Sequence, residues 1–264
     1  MQVTFDHLVH LTASPGEAKA AFAQMGFHAI QGGIHHDWGT YNCLCYFRDL
    51  RYIEWIGFMD LNKAKKSDNR LIQQIVTDSA QGAGFSQIAF RTNDIHAIMN
   101  HISEKGLTPI GPFAGNRQRE DGTVLSWSML FIRDESHHTY RYPFFIQWGQ
   151  QDSIRKQEMK QLMQHHHGQP TLSYIGIQAD HLDESVQKYC HLFDIPSSLV
   201  RYHADRFGSY AEIPAGHIKM RFYESAKLPS GRALYINRPF LCGITGMPQN
   251  QTILLEQAIY DFSV

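Results

Sequence analysis

The sequence predicts an α+β fold built from a recurring β-α-β-β-β unit. The order strand, helix, strand, strand, strand can be written from Val3, again from Phe85 and a third time from Leu172. Each restart opens on an apolar strand pattern and leads into a helix with a recognisable cap. A recurring order specifies the architecture more firmly than any single boundary does.

The first unit opens with a strand over Val3–Leu11, carrying His7 and His10. Ser14, Pro15 and Glu17 then form a helix start, with the hydroxyl as cap and proline at the first helical position. The helix continues over Ala18–Met25 and stops at Gly26. A short strand over Phe27–Ile30 is followed by a break at Gln31-Gly32-Gly33, then by two strands over Thr40–Phe47 and Tyr52–Phe58. Polar residues over Asn62–Asn69 form a link, and Arg70–Ser79 reads as a connecting helix. The second unit has a strand over Phe85–Thr92, a helix capped by Asn93 or Asp94 and ended by Gly106, and a strand over Leu107–Ile110 with a turn at Gly111-Pro112. Strands over Val124–Ile132 and Phe144–Trp148 complete it, with a polar stretch over Gly115–Gly122 between. The third has a strand over Leu172–Gln178, a helix capped by Asp180, and strands over Leu199–His203, Ser209–Ile213 and Ile218–Tyr223. Ala233–Ile236 and Thr252–Ile259 are expected to add strands or a last helix. The division that follows is a first unit over 1–60, a connecting helix and linker over 61–84, a second unit over 85–150, a polar linker over 151–170, and a third, degenerate unit with a C-terminal extension over 171–264.

The chain has 264 residues, 43% hydrophobic and 19% charged, which suits a globular protein with a substantial core. A net charge of -1 gives no global electrostatic reason for a nucleic acid or anionic membrane partner. No basic start and apolar run mark a signal sequence, and no stretch approaches the ~18 apolar residues of a membrane span. Cys43 and Cys45 alternate onto one face of a strand, and with Cys190 and Cys242 they are too few for a disulfide framework. The expected location is therefore the reducing cytoplasm. The His165-His166-His167 run is expected in an exposed loop. The phosphate loop, the serine nucleophile elbow, the H-E-x-x-H zinc helix and the dinucleotide fingerprint are all absent from the sequence.

Five strings carry more specific information: F-D-H-L-V-H at Phe5–His10, G-G-I-H-H-D-W-G-T-Y-N at Gly32–Asn42, Y-I-E-W-I at Tyr52–Ile56, R-E-D-G-T-V-L-S-W at Arg119–Trp127 and P-F-F-I-Q-W at Pro143–Trp148. Together with the repeated unit, they resemble the vicinal oxygen chelate superfamily, and within it the glyoxalase-like group of bacterial proteins. The resemblance covers about the first 150 residues. It implies that two units pair into a U-shaped mixed sheet around a cleft. It also implies metal ligands on the first and last strands of each unit, which here fall on His7 and Glu54, then Gln87 and Gln147. The chain departs from that pattern at Gln147, where an amide stands for a carboxylate. One imidazole, one carboxylate and two amides carry a ligand charge of only -1, a weak set for a dication. The expected cofactor is therefore none or one divalent metal (Fe, Mn, Ni or Zn), with the metal-free site favoured and Glu54 as a general base. The plain structural readings are a satisfied buried histidine for His7 and a paired carboxylate for Glu54.

Around that floor, His36 is the favoured acid–base histidine, with His35 the second choice. Trp38, Thr40 and Asn42 are expected on one wall of a small-molecule cleft, with Trp127 and Gln147 as further substrate contacts. Arg119 is expected to clamp an anionic oxygen, while Arg117 reads as a solvent-exposed charge. Trp55, Trp127 and Trp148 read as core more than as ligand platforms. The resemblance implies a lyase, isomerase or dioxygenase acting on a substrate with adjacent oxygens. The alternative is a non-catalytic small-molecule binding or sequestering protein of the same fold. The expected partner is a small molecule, with no nucleic acid and no membrane, and the last unit has homodimer formation as an alternative role.

Overall fold

The computed structural model describes residues 2–118, 123–136, 140–224 and 235–264. The first half forms one sheet from β1 (Thr4–Leu11), β2 (Ala29–His35), β3 (Thr40–Tyr46), β4 (Tyr52–Phe58), β5 (Gly84–Arg91), β6 (Thr108–Gln118), β7 (Val124–Arg133) and β8 (Phe144–Trp148), in the order β2-β3-β4-β1-β5-β8-β7-β6. In each unit the first strand runs parallel to the last: β1 pairs β4 and β5 pairs β8. The units meet at the antiparallel β1–β5 pair, which puts both opening strands at the centre of the sheet.

Helices α1 (Pro15–Gln24) and α4 (Ile95–Glu104) cover one face, each capped as the sequence requires, by Ser14 and by Asp94. Helix α3 (Arg70–Ser79), preceded by the short α2 (Leu61–Ala64), lies on the other face. There Leu71, Ile72 and Ile75 pack with Val9, Leu11, Ile56, Ala89 and Met129 and close one end of the trough. Residues alternate along each strand, so Cys43, Cys45 and Trp55 point to the helix-covered side while Asn42, Leu44 and Glu54 point into the trough.

The second half repeats the plan. Strands β9 (Thr171–Ala179), β10 (Arg201–Asp205), β11 (Gly208–Ala215), β12 (Ile218–Glu224), β13 (Pro239–Thr245), β14 (Gln251–Leu255) and β15 (Ala258–Ser263) form a sheet in the order β10-β11-β12-β9-β13-β15-β14. Helix α6 (Leu182–Phe193) completes a third β-α-β-β-β unit, and α5 (Asp152–Glu158) belongs to the linker before it. Strand β13 pairs antiparallel with β9, as β5 does with β1, and parallel with β15, as β5 does with β8. The C-terminal strands thus form a fourth unit without the helix. The sequence pattern had run β14 and β15 together and missed β13.

The helix-covered sides of the two sheets share one core. Phe22 of α1 touches Trp55 of the first sheet and Tyr260 and Phe262 of the second, and Phe90 meets Phe193. Each such ring contributes roughly 1.5–3 kcal/mol of burial. Polar ties cross the same seam. The Arg51 guanidinium donates to the carbonyls of Leu172 and His217 at 2.7 and 2.6 Å, and Phe5 N donates to Gly216 O at 2.7 Å.

Several local expectations change. Strand β2 continues through Gly32-Gly33 to His35, and β6 continues past Gly111-Pro112 to Gln118. His165 is buried, and its Nδ1 accepts from His28 N at 2.9 Å. Burial pushes its pKa down to about 4, with a smaller opposing contribution from the Tyr46 backbone. Ala233 and the polar turn over 119–122 lie outside the described residues. No helix among the described residues is long and apolar enough to cross a membrane.

Candidate functional site

The trough of the first sheet holds a cavity with about 600 Å³ of empty space, part of it open to solvent. Its polar wall comes from the first unit, where His7 of β1, Asn42 of β3 and Glu54 of β4 converge. Tyr46 and Tyr52 lie beside them. The opposite wall is apolar: Trp127 and Met129 of β7 face inward with Phe144, Ile146 and Trp148 of β8. Leu71 and Ile72 of α3 close one end, and His35, Trp38 and Arg117 stand at the rim.

The polar groups form a chain. Asp6 is fully buried at a bulge in β1, and its Oδ1 lies 2.7 Å from His7 Nδ1. Burial alone would raise the Asp6 pKa. The His7 hydrogen bond and the charges of His7, Arg155 and Arg91 more than offset this, so it lies below its ordinary value. An ionised carboxylate only accepts, so His7 Nδ1 donates. His7 Nε2 is thereby turned to Glu54 Oε2, 3.6 Å away. The imidazole is held flat on Tyr52, with ring centroids 4.4 Å apart. Asn42 Nδ2 donates to Glu54 Oε1 at 2.5 Å, while Asn42 Oδ1 accepts from Gly33 N at 2.8 Å. Glu54 is thus a nearly buried carboxylate, 8% exposed, with one oxygen fixed and the other beside an imidazole.

Trp148 is fixed from behind. Its Nε1 donates to Asp6 Oδ2 at 3.1 Å, and the Arg155 guanidinium lies 4.2 Å from its ring centre. Trp127 lies against both Trp148 and Trp38, at 5.7 and 6.4 Å between centroids. Burial raises the Tyr46 and Tyr52 pKa values, so both hydroxyls stay protonated. Burial lowers that of His35, aided by Arg117 and opposed by Glu54, and its Nδ1 lies 3.0 Å from Thr40 Oγ1.

The structure brings His7, Trp38, Asn42, Glu54 and Trp127 of the sequence-derived set to one cavity. Others lie elsewhere. Gln147 points to the opposite face of β8, where its Oε1 accepts from Ile95 N at the start of α4, at 2.8 Å. Phe144, Ile146 and Trp148 are the inward residues of that strand, and alternation forbids Gln147 from joining them. Gln87 does not line the cavity, and its Oε1 accepts from Ile88 N at 2.9 Å. His36 is exposed in the turn after β2, and His35 lines the cavity in its place. Thr40 is buried behind His35. Arg119 lies outside the described residues. Arg117, read from sequence as solvent-exposed, stands at the rim because β6 extends that far. The same alternation would have found Trp148, since it favours Trp148 over Gln147.

The donor set implied by the resemblance is therefore not assembled. The amide oxygens of Asn42, Gln87 and Gln147 are engaged by backbone N–H groups. No group of three or more His, Cys, Asp or Glu side chains is placed to hold a metal ion among the described residues. These residues do not fit a dication held by two ligands from each unit.

Comparison with known proteins accords with this architecture. A family model described as a glyoxalase-like domain matches residues 5–193. No curated protein matches the chain. A hypothetical protein from Staphylococcus aureus has a similar structure over 99% of this chain and 100% of its own, with 22% identity and a TM-score of 0.81. Methylmalonyl-CoA epimerase from Mycobacterium tuberculosis matches over 55% of this chain and 86% of its own, with 16% identity and a TM-score of 0.39. With paired β-α-β-β-β units, a trough-shaped sheet and that family match over most of its length, the chain belongs to the glyoxalase-like domain family.

Proposed function

We propose that the protein is a metal-independent acid–base enzyme, an isomerase or lyase, in which Glu54 removes a proton from a carbon beside a carbonyl. The observation that carries this reading is the Glu54 carboxylate itself. It is nearly buried, fixed by Asn42 on one oxygen and faced by His7 Nε2 on the other, at the polar wall of an otherwise aromatic cavity. A carboxylate so placed can approach a C–H bond without a water shell. Asn42 and the Asp6–His7 pair hold it in one orientation, which reduces the reorganisation the reaction requires. The donors around it favour direct proton transfer over the metal-assisted dioxygenase alternative. The fold by itself does not choose among reactions.

The test is solvent exchange. A panel of 2-oxo acids, 2-hydroxy ketones and β-keto esters is incubated with the protein in deuterated water and followed by proton NMR. At least one class is expected to exchange an α-proton above background, and Glu54→Gln is expected to lower that rate by about 100-fold or more. Binding without exchange by the unaltered protein would instead favour a sequestering protein. The aromatic wall formed by Trp38, Trp127 and Trp148 supports that second reading.

A further inference from the structure

Three glycines around the cavity lie under side chains that line its walls and rim. A Cβ on Gly33 would stand 2.5 Å from Arg117 Cδ, one on Gly32 2.1 Å from Asn42 Oδ1, and one on Gly115 2.4 Å from Trp127 Nε1. None of the three has the positive φ that would explain glycine by backbone conformation. Their common feature is close approach. Each lets a lining side chain approach the strand backbone closely, and at Gly33 it is the Arg117 stem that does so. Arg117 has no ion-pair partner among the described residues, although it lies at the edge of an aromatic cavity.

Outside that rim the trough continues. A wide groove runs from the cavity between Ile30–Ile34 of β2 and Ala114–Arg117 of β6, towards Met159 and Leu162. Arg117, His35 and Trp38 border both spaces, so the guanidinium stands where the inner cavity opens into the groove. The inner space is aromatic with one carboxylate. The groove is mixed in character, with backbone exposed at two glycines.

Resting on the assignment of this cavity as the substrate site, but not on its chemistry, we infer that the ligand is an aromatic carboxylic acid branched at the carbon that bears its carboxylate. The aromatic head stacks among the tryptophans, the carboxylate pairs with Arg117 at the junction, and a neutral, extended substituent leaves along the groove beside Gly32 and Gly33. The ring needs the flat apolar walls. The carboxylate matches the planar donor fork of arginine, and the rim's partial burial strengthens that pairing. A charged tail meets both signs in the groove, where Arg117 stands with Asp37 and Glu158, whereas a neutral tail meets no like charge.

N-hexanoyl-phenylalanine has all three parts, and its carboxamide and N-acetyl analogues each lack one. Of the four tryptophans, Trp38, Trp127 and Trp148 line the cavity, so intrinsic fluorescence reports occupancy without any turnover. The acid, tested as each enantiomer, is expected to bind roughly tenfold or more tighter than its carboxamide, and tighter than the N-acetyl acid. Arg117→Met removes the preference for the acid while leaving carboxamide binding in place. Gly33→Ala, which displaces the arginine stem without removing its charge, reduces the same preference. Equal binding of acid and amide, no binding of either, or a preference that survives Arg117→Met overturns the proposal, and equal binding of long and short tails overturns the role of the groove. Glu54→Gln is expected to keep the acid preference. If this variant keeps its exchange rate while the Arg117 result holds, the chemistry is wrong and the ligand class is right.

Discussion

The chemistry of the cavity depends on how a few side chains hold one another. Glu54 sits in an apolar strand, where a carboxylate requires partners, and it has them in Asn42 and His7. Asn42 ties two elements at once, with its amide nitrogen on Glu54 and its oxygen on the backbone of β2. Removing it leaves a buried carboxylate oxygen and a backbone N–H short of partners. Asn42→Ala is therefore expected to destabilise the fold by about 1–3 kcal/mol in urea unfolding and to lower the exchange rate further than that loss explains. Glu54 was legible as the one carboxylate in an apolar strand, and His7 and Asn42 from the strings that carry the family resemblance. Asp6 was not. It adjoins His7 in sequence, and simple alternation places neighbours on opposite faces. The bulge at that position brings the two together.

At the scale of elements, alternation along strands decides which residues serve the site. Strand β8 presents Phe144, Ile146 and Trp148 to the cavity and gives Gln147 to α4. Gln147 thus acts as a helix cap in the place where the sequence resemblance implies a ligand. Gln147→Leu is expected to lower stability by about 1 kcal/mol while leaving ligand binding by tryptophan fluorescence unchanged. Loss of binding at full stability would show that the side chain turns inward. The helices were readable from their caps, as Ser14 and Asp94 illustrate. The reach of β2 and β6 was not, because Gly32-Gly33 and Gly111-Pro112 read locally as breaks. In the sheet, pairing with β3 and β7 carries both strands through, and tertiary pairing overrides the local signal. That difference moved His35 and Arg117 into the site.

Across the whole molecule, two sheets of the same plan have separate fates. The first keeps an open trough. In the second, β12 carries three charged residues, Lys219, Arg221 and Glu224, where β4 carries Glu54 alone, and Arg221 is the one turned onto the sheet's aromatic rings. That guanidinium stacks 3.7 Å from the Tyr174 ring centre and pairs with Glu212 at 2.8 Å. The repeat was legible from sequence as three restarts. The fourth lacks the helix that marks the others, so its strands had no punctuation. The linker between the halves is pinned to the first sheet by His165, whose Nδ1 must remain unprotonated to accept from His28 N. Its pKa of about 4 in the fold lies below the ordinary histidine value of 6.5. The unfolded chain therefore takes up this proton first as pH falls. The His165 contribution is complete above about pH 6.5 and is lost towards pH 4, up to about 3 kcal/mol. Denaturant midpoints measured across that window should fall less steeply in His165→Asn than in the unaltered protein, and identical slopes would remove His165 as the cause.

Glu54 is proposed to act on the substrate directly and not through a metal ion. The measurement that tests it most directly is the deuterium exchange rate of the reactive carbon acid, taken after exhaustive chelation and again after adding back Fe, Mn, Ni or Zn, for the unaltered protein and for Glu54→Gln. The expected rate is one that chelation and added metal leave unchanged and that Glu54→Gln lowers by about 100-fold or more. A rate lost on chelation and restored by one of these metals would contradict it.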